Sequence, residues 1–406
     1  MRKTVGIIGT LDTKGIEVRF LKNRIEADMV STLVIDAGVT GESVFPPDIA
    51  AAEVAGAAGV SRDGLVKQHD RGQSIAAMSK GAGVIVKKLY DNGRIHGLIS
   101  IGGSAGTAIG TTAMRALPVG VPKLMITIVP PANWCHYTGT GDITMMYSVV
   151  DISGINRISR RILANGAAAI SGMVKTEITD KSEDRPLIAA TMFGVTTPCV
   201  TRARDILESA GYEVLIFSAN GTGGRAMEEL VKEGHIRGVL DITTTELADE
   251  LVGGTGSAGP DRLAAAGESG VPQVVVPGAI DMVNFGAPET VPARFKSRKL
   301  YRHNPAVTLM RTTREENKQL GRIMAEKLNK ARGPAVIVIP GKGVSAIDKR
   351  EQVFFDSEAD AVFTDSLKSN LNQRVRLIEL DCHINDEQFS SAIANLLLEN
   401  LDSKKG

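Results

Sequence analysis

The sequence predicts an α/β protein of two domains, each built on a largely parallel, doubly wound sheet. Three observations carry this expectation. Short apolar runs rich in Val and Ile alternate with longer helical patterns along nearly the whole chain, as a parallel sheet with crossover helices requires. At 406 residues the chain exceeds what one hydrophobic core usually supports, so two domains of roughly 200 residues each are expected. The second half also repeats the plan of the first.

Taken in order, Thr4 to Ile8 is an apolar run stopped by Gly9, and the polar loop Thr10 to Gly15 leads into a helical pattern through Leu21 and Ile25. Ser31 to Asp36 reads as a second strand and the alanine-rich stretch Ala50 to Ala58 as a helix. Gly97 to Ile101 is a buried strand ended by Gly102 and Gly103; helix resumes after Gly106, and Val121 to Val129 supplies a further strand. A helical stretch from Ile155 to Met173 precedes the polar run Lys175 to Arg185, which marks the boundary between domains at 1–178 and 185–406.

In the second half, Leu187 to Met192 is a strand running into Phe193 and Gly194, and Glu213 to Phe217 is the next. GVLDITTTE at 238–246 stands where GLISIGGSA stands at 97–105, and SGVPQVVVPGAID at 269–281 echoes VGVPKLMITIVPP at 119–131. PAVIVIP at 334–340 is a later strand followed by the loop GKGVS, and a last helix runs from Asp386 to Asn400 with Phe389, Ile393 and Leu397 on one face.

Composition excludes several classes. Hydrophobic residues at 43% and charged residues at 23% rule out a disordered chain. Lys plus Arg number 47 against 46 for Asp plus Glu, a net charge of +1 that offers no field for nucleic acid or anionic lipid. Cys135, Cys199 and Cys382 lie far apart without CxxC spacing, so a disulfide framework and a cysteine zinc site are not expected. No run of about 18 apolar residues occurs, and Met1, Arg2 and Lys3 lead directly into a strand, so a cytoplasmic protein is expected.

The loop GTLDTKG at 9–15 offers the backbone of Gly9 and Thr10, the hydroxyls of Thr10 and Thr13, the carboxylate of Asp12 and the amine of Lys14 at the start of a helix. Such a helix N-terminus suits a phosphate, with Lys14 as a point charge and Asp12 as a magnesium ligand. The loop GGSAGT at 102–107, with Gly102, Gly103, Ser104, Gly106 and Thr107, repeats the strand, loop, helix arrangement, and its small residues allow the backbone to approach an anion. Glycine serves helix packing equally well. Neither loop is a Walker A sequence. A formal GxGxxG at Gly254, Gly256 and Gly259 follows a helical run instead of a strand, which predicts a flexible interdomain or lid loop. Cys135 and His136, adjacent in sequence, point in different directions and read as structural. In the second half, Asp281, Asn284, Arg302, His303, Asn304 and Arg311 form a candidate substrate site. There His303 and Asp281 are the catalytic candidates, and Asn284, Arg302, Asn304 and Arg311 hold a carbonyl or carboxylate; the ordinary alternative is a network of caps.

These stretches, with YTGTGDITMMYSVVDISGINRISRRIL at 137–163, FGVTTPCV at 193–200, VPGAIDMVNFG at 276–286 and HNPAVTLMRTT at 303–313, resemble the Tm-1-like ATP-binding family, also known as the uncharacterised family UPF0261. It is related to the N-terminal inhibitory domain of the tomato mosaic virus resistance protein. The resemblance covers nearly the whole chain. It implies two Rossmann-like domains, ATP in the N-terminal half on the loop residues Gly9, Thr10, Asp12, Thr13, Lys14, Gly102, Gly103, Ser104, Gly106 and Thr107, and self-association into a homo-oligomer; the magnesium ion rests on the reading of Asp12. Three functions stay open: an ATP-binding enzyme acting on a small metabolite in the interdomain cleft, a nucleotide-responsive regulatory module without turnover, and a lyase or hydrolase acting on a carbonyl or phosphorylated substrate.

Overall fold

Strands form where the apolar runs predict them, because β-branched side chains pack well on a pleated surface buried on both faces. The computed structural model describes residues 2–177 and 185–402, and the chain divides into two units, Met1–Asp180 and Lys181–Gly406. The boundary read at 178–185 falls almost wholly outside the described residues.

The first unit holds β1 (Thr4–Gly9), β2 (Ser31–Asp36), β3 (Gly97–Gly102), β4 (Lys123–Thr127) and β5 (Thr144–Tyr147), paired in parallel in the order β2-β1-β3-β4-β5. Its helices are α1 (Leu11–Ala27), α2 (Ala51–Ala57), α3 (Arg62–Gln68), α4 (Arg71–Asp91), α5 (Ser104–Arg115), the short α6 (Cys135–Thr138) and α7 (Arg157–Lys175). Alternation along each strand sends neighbouring side chains to opposite faces. Val5 and Ile7 of β1 pack with Val18, Leu21, Leu163 and Ile170 under α1 and α7, whereas Ile8 packs with Val54, Met78 and Ile109 under α2, α4 and α5. The helix after β1 therefore lies on one face and the helix after β3 on the other, so the winding reverses between these adjacent strands.

The second unit holds β6 (Leu187–Met192), β7 (Glu213–Ser218), β8 (Ile236–Thr243), β9 (Gln273–Gly278), β10 (Met282–Phe285), β11 (Leu300–Asn304), β12 (Val307–Arg311), β13 (Ala335–Pro340) and β14 (Arg376–Leu380). Six of them form a parallel sheet, β14-β13-β9-β8-β6-β7, and β10-β12-β11 form a separate antiparallel sheet. Its helices are α8 (Thr197–Ser209), α9 (Thr222–Lys232), α10 (Thr245–Val252), α11 (Ala265–Ser269), α12 (Arg314–Leu328), α13 (Ser357–Asn370) and α14 (Glu387–Asp402). Val274, Val276, Val336 and Val338 face the α8 and α14 side, while Val275, Ile337 and Ile339 face α12 and α13. The first four strands of each unit share one order, β2-β1-β3-β4 and β7-β6-β8-β9, which is the structural form of the internal repetition.

Helix contacts in the first unit are close. A Cβ added at Gly81 of α4 would sit 1.9 Å from the carbonyl oxygen of Val54 in α2. Helix propensity alone would favour Gly81→Ala by about 1 kcal/mol, but overpacking against backbone costs roughly 1–3 kcal/mol. The clash is the larger effect, so Gly81→Ala is expected to lower the melting temperature. Gly172→Ala, where a Cβ meets nothing within 4 Å, should leave it unchanged or raise it.

Candidate functional site

At the carboxyl edge of the first sheet, α1 begins after Thr10 and α5 after Gly103, and neither helix has a side-chain cap. First-turn N–H groups without a cap, at the positive end of the helix dipole, are donors open to an anion. The Leu11 N–H of α1 is satisfied by Asp36 Oδ1 at 3.0 Å, which leaves α5 the more open of the two. Beside both lies a cavity of about 620 Å³, lined by Thr10, Asp12 and Thr13 from one loop, Ala105 from the other, and Thr40, Arg71 and Ser74. Val39, Leu65, Ile75, Met78 and Ile109 make an apolar wall. Its size lies within the roughly 300–1,000 Å³ of small-molecule sites.

The individual residues divide by task. A Cβ at Gly9 would lie 2.4 Å from Val18, and one at Gly102 would lie 2.8 Å from Gly106 Cα, so Gly9, Gly102 and Gly106 let helices close onto strands. Thr107 is buried, its hydroxyl between Gly103 O at 2.8 Å and Thr127 Oγ1 at 2.7 Å, so it fixes the loop from behind. Ser104 is exposed, and the Thr10 and Thr13 hydroxyls lie 2.7 Å apart at the cavity. Lys14 does not line the cavity; its amine donates to Ile152 O instead. Asp12 Oδ2 accepts from Thr40 N (3.0 Å), Thr40 Oγ1 (3.0 Å) and Gly41 N (3.1 Å), and its Oδ1 is buried against Gly38, where a Cβ would lie 2.6 Å away. Asp12 Oδ2 is thus committed to the 38–41 loop, while Oδ1 has no hydrogen-bond partner among the described residues and is the one oxygen on which a magnesium ion could be held without breaking those bonds. The sequence reading missed Arg71, Ser74 and Thr40. Arg71 opens α4 one residue after the cap Asp70, which accepts from Gln73 N at 2.9 Å. That helix start was the available signal, but nothing in the spacing ties it to Thr10.

In the second unit the candidate residues separate into three groups. Arg302, His303 and Asn304 are exposed on β11, where Asn304 Oδ1 accepts from Ala306 N at 2.8 Å to close the hairpin. Asp281 is fully buried at the base of that hairpin, its carbonyl accepting from Thr312 N at 3.0 Å. Roughly 10 Å of strand separate base from tip, so His303 and Asp281 do not meet as an acid and base pair. Asn284 is buried beside Asp249, donating from Nδ2 to Oδ2 at 2.6 Å and from N to Oδ1 at 2.8 Å. Burial pushes the Asp249 carboxyl up to about 6 against the pull of those bonds. The loop expected to be a lid is pinned to this pair: Gly254 N donates to Asp249 O at 2.9 Å and Thr255 N to Asn284 O at 2.8 Å.

Arg311 lies in a buried cluster that sequence reasoning did not assemble. Its Nη2 reaches Asp360 Oδ1 at 2.7 Å and Asp348 Oδ1 at 3.5 Å, its Nε donates to Phe354 O at 2.7 Å, and Asp281 accepts from the Ser345 hydroxyl at 2.9 Å. Three carboxyls thus face one guanidinium. A second such cluster surrounds the fully buried Arg262, which binds Asp241 through Nη1 at 2.5 Å and Nη2 at 2.6 Å and Glu246 through Nε at 2.5 Å, with Glu228 at 3.4 Å.

The comparisons with known proteins agree across the chain. A family model described as the N-terminal domain of an uncharacterised protein family (UPF0261) matches residues 3–179, and its C-terminal counterpart matches residues 185–401. A UPF0261 protein of Clostridium tetani is 51% identical over 403 residues, covering 99% of this chain and 100% of that protein. The ToMV susceptible protein tm-1 of Solanum lycopersicum is 40% identical over 418 residues; the match covers 97% of this chain and 55% of the tomato protein. Among solved structures, the UDP-N-acetylglucosamine 2-epimerase of Rickettsia bellii matches with a TM-score of 0.23 and 10% identity, over 99% of this chain and 98% of that one, a level from which no chemistry follows.

The cluster around Arg311 has a measurable pH dependence. Burial, then the neighbouring Asp348 charge, pushes the Asp281 carboxyl up to about 8 against Arg311 and Ser345, and burial pushes Asp360 up to about 7. With an unfolded value near 3.9, the stability from holding Asp281 protonated is fully present below that value, is lost as pH rises toward 8, and then levels off. Asp281→Asn should therefore gain stability relative to the parent between about pH 5 and 8, on the order of 1 kcal/mol per pH unit, in urea unfolding. A difference independent of pH would show that this carboxyl ionises normally in the fold.

Proposed function

The chain belongs to the UPF0261 family, and we propose that its first unit binds ATP in the cavity at the β1 and β3 edge. What supports this reading is the meeting, at one edge, of two helix N-termini without side-chain caps and a 620 Å³ cavity with one apolar wall. A triphosphate would lie against the first-turn N–H groups of α5 and the hydroxyls of Thr10 and Thr13, with Arg71 as its cation. The base would lie on Val39, Leu65, Ile75 and Ile109. Lys14 takes no part, because its amine is spent on Ile152 O.

ATP is expected to raise the melting temperature and to give a saturable heat in calorimetry. Arg71→Ala should weaken binding by about tenfold or more, as loss of a charged hydrogen bond does, while Lys14→Ala should leave affinity within about twofold. No heat with ATP, or an affinity indifferent to Arg71, refutes the reading. Release of ADP on adding a metabolite panel would mark an enzyme, and binding without product a regulatory module.

A further inference from the structure

Where β9 and β13 end, the second unit carries another cavity, of about 260 Å³, with Pro277, Pro340 and Val344 at the strand ends, Asn317 from α12, and Asp360 and Thr364 from α13. Asn317 is fully buried, and its Nδ2 donates to Thr312 Oγ1 and Thr313 O, both at 2.9 Å. Those two bonds fix the amide orientation, since the Thr313 carbonyl can only accept. They leave Asn317 Oδ1 buried with no partner among the described residues. A buried acceptor at a cavity wall without a donor is a site that a ligand hydroxyl or amine would complete.

The rest of the lining has the same character. Asp360 is held by Arg311 and shares a side-chain hydrogen bond with Asp348, and the Thr364 hydroxyl spends its hydrogen on Asp360 O at 3.0 Å, leaving lone pairs. The two lysines at this cavity, Lys342 paired with Asp381 at 3.0 Å and Lys368 with Glu379 at 2.8 Å, stand beside the carboxyl groups of Asp360, Asp365 and Glu379, so the lining carries no excess of positive charge to favour a phosphate or carboxylate. At the rim stands Phe355, 39% exposed. An exposed aromatic ring beside an acceptor-rich floor suits a molecule with O–H groups at its edge and a C–H face. The volume lies below the roughly 300–1,000 Å³ of drug-sized sites, so the occupant is small.

We propose that this cavity is a binding site for a small neutral polyhydroxylated molecule of monosaccharide size, with Asn317 Oδ1 accepting one of its hydroxyls and Phe355 covering its C–H face. The site is independent of the nucleotide reading, being built wholly from the second unit.

Saturation-transfer NMR on the full chain, with D-glucose, D-ribose and myo-inositol as separate probes and adenine as a probe of another class, tests it. At least one polyol should receive transfer at millimolar concentration, and Phe355→Ala, a surface change, should weaken it at least fivefold while leaving the heat of ATP binding unaltered. Asn317→Ala should abolish the signal; should that variant fail to fold, Phe355→Ala still decides. No transfer to any polyol, an affinity indifferent to Phe355, or transfer to adenine alone overturns the proposal.

Discussion

The reversal of winding between β1 and β3 is the constraint on which the candidate site rests. Each right-handed crossover places its helix on one face, so at the strand pair where the faces change no connection covers the carboxyl edge. The N-termini of α1 and α5 then border one cavity, with the Leu11 N–H of α1 taken by Asp36 and α5 the more open of the two. The same reversal recurs in the second unit between β6 and β8, because its first four strands keep the same order.

What each unit does with that edge differs. In the first, the loops end in small or hydroxylated residues and the edge stays open. In the second, Glu246 at the start of α10 accepts from Gly221 N at 2.7 Å and Gly224 N at 3.2 Å at the start of α9, and Arg262 enters to bind Glu246 and Asp241. The Glu246 carboxylate satisfies the first-turn amides of α9 from within the unit. The repeated architecture thus carries a cavity at this edge in one copy and a buried ion-pair network in the other.

The buried charges of the second unit follow one pattern. Arg262 and Arg311 each gather three carboxyl groups, and the surplus negative charge is held by bonds from backbone N–H groups or by raising a carboxyl above its ordinary range. Glu228 accepts from Leu263 N at 2.6 Å and Ala265 N at 2.6 Å, which ties the segment after the glycine-rich loop to α9. Such networks contribute little net stability against an apolar core of equal volume, yet removing one partner leaves a buried charge uncompensated. The Arg262 network holds down the end of the 253–265 segment through Arg262, Leu263 and Ala265.

By itself the sequence determined the α/β alternation, the parallel strands, the repetition of one plan in two halves and the family; it placed helices after Gly15 and after Gly106, whereas α1 begins at Leu11 and α5 at Ser104. These are local properties: an apolar run of strand length, a glycine at its end and a helical period after it are read within about twenty residues. Only the tertiary structure decided which side chains share a site. Arg311 meets Asp348 and Asp360 across 37 and 49 residues, Arg71 and the Thr10 loop line one cavity although α4 packs on the face opposite α1, and Lys14 is drawn 138 residues away to Ile152. Strand order and the choice of face leave no local period in a sequence, so hydroxyls and charges that looked alike on paper were sorted into cavity walls, loop clamps and core ion pairs by packing alone.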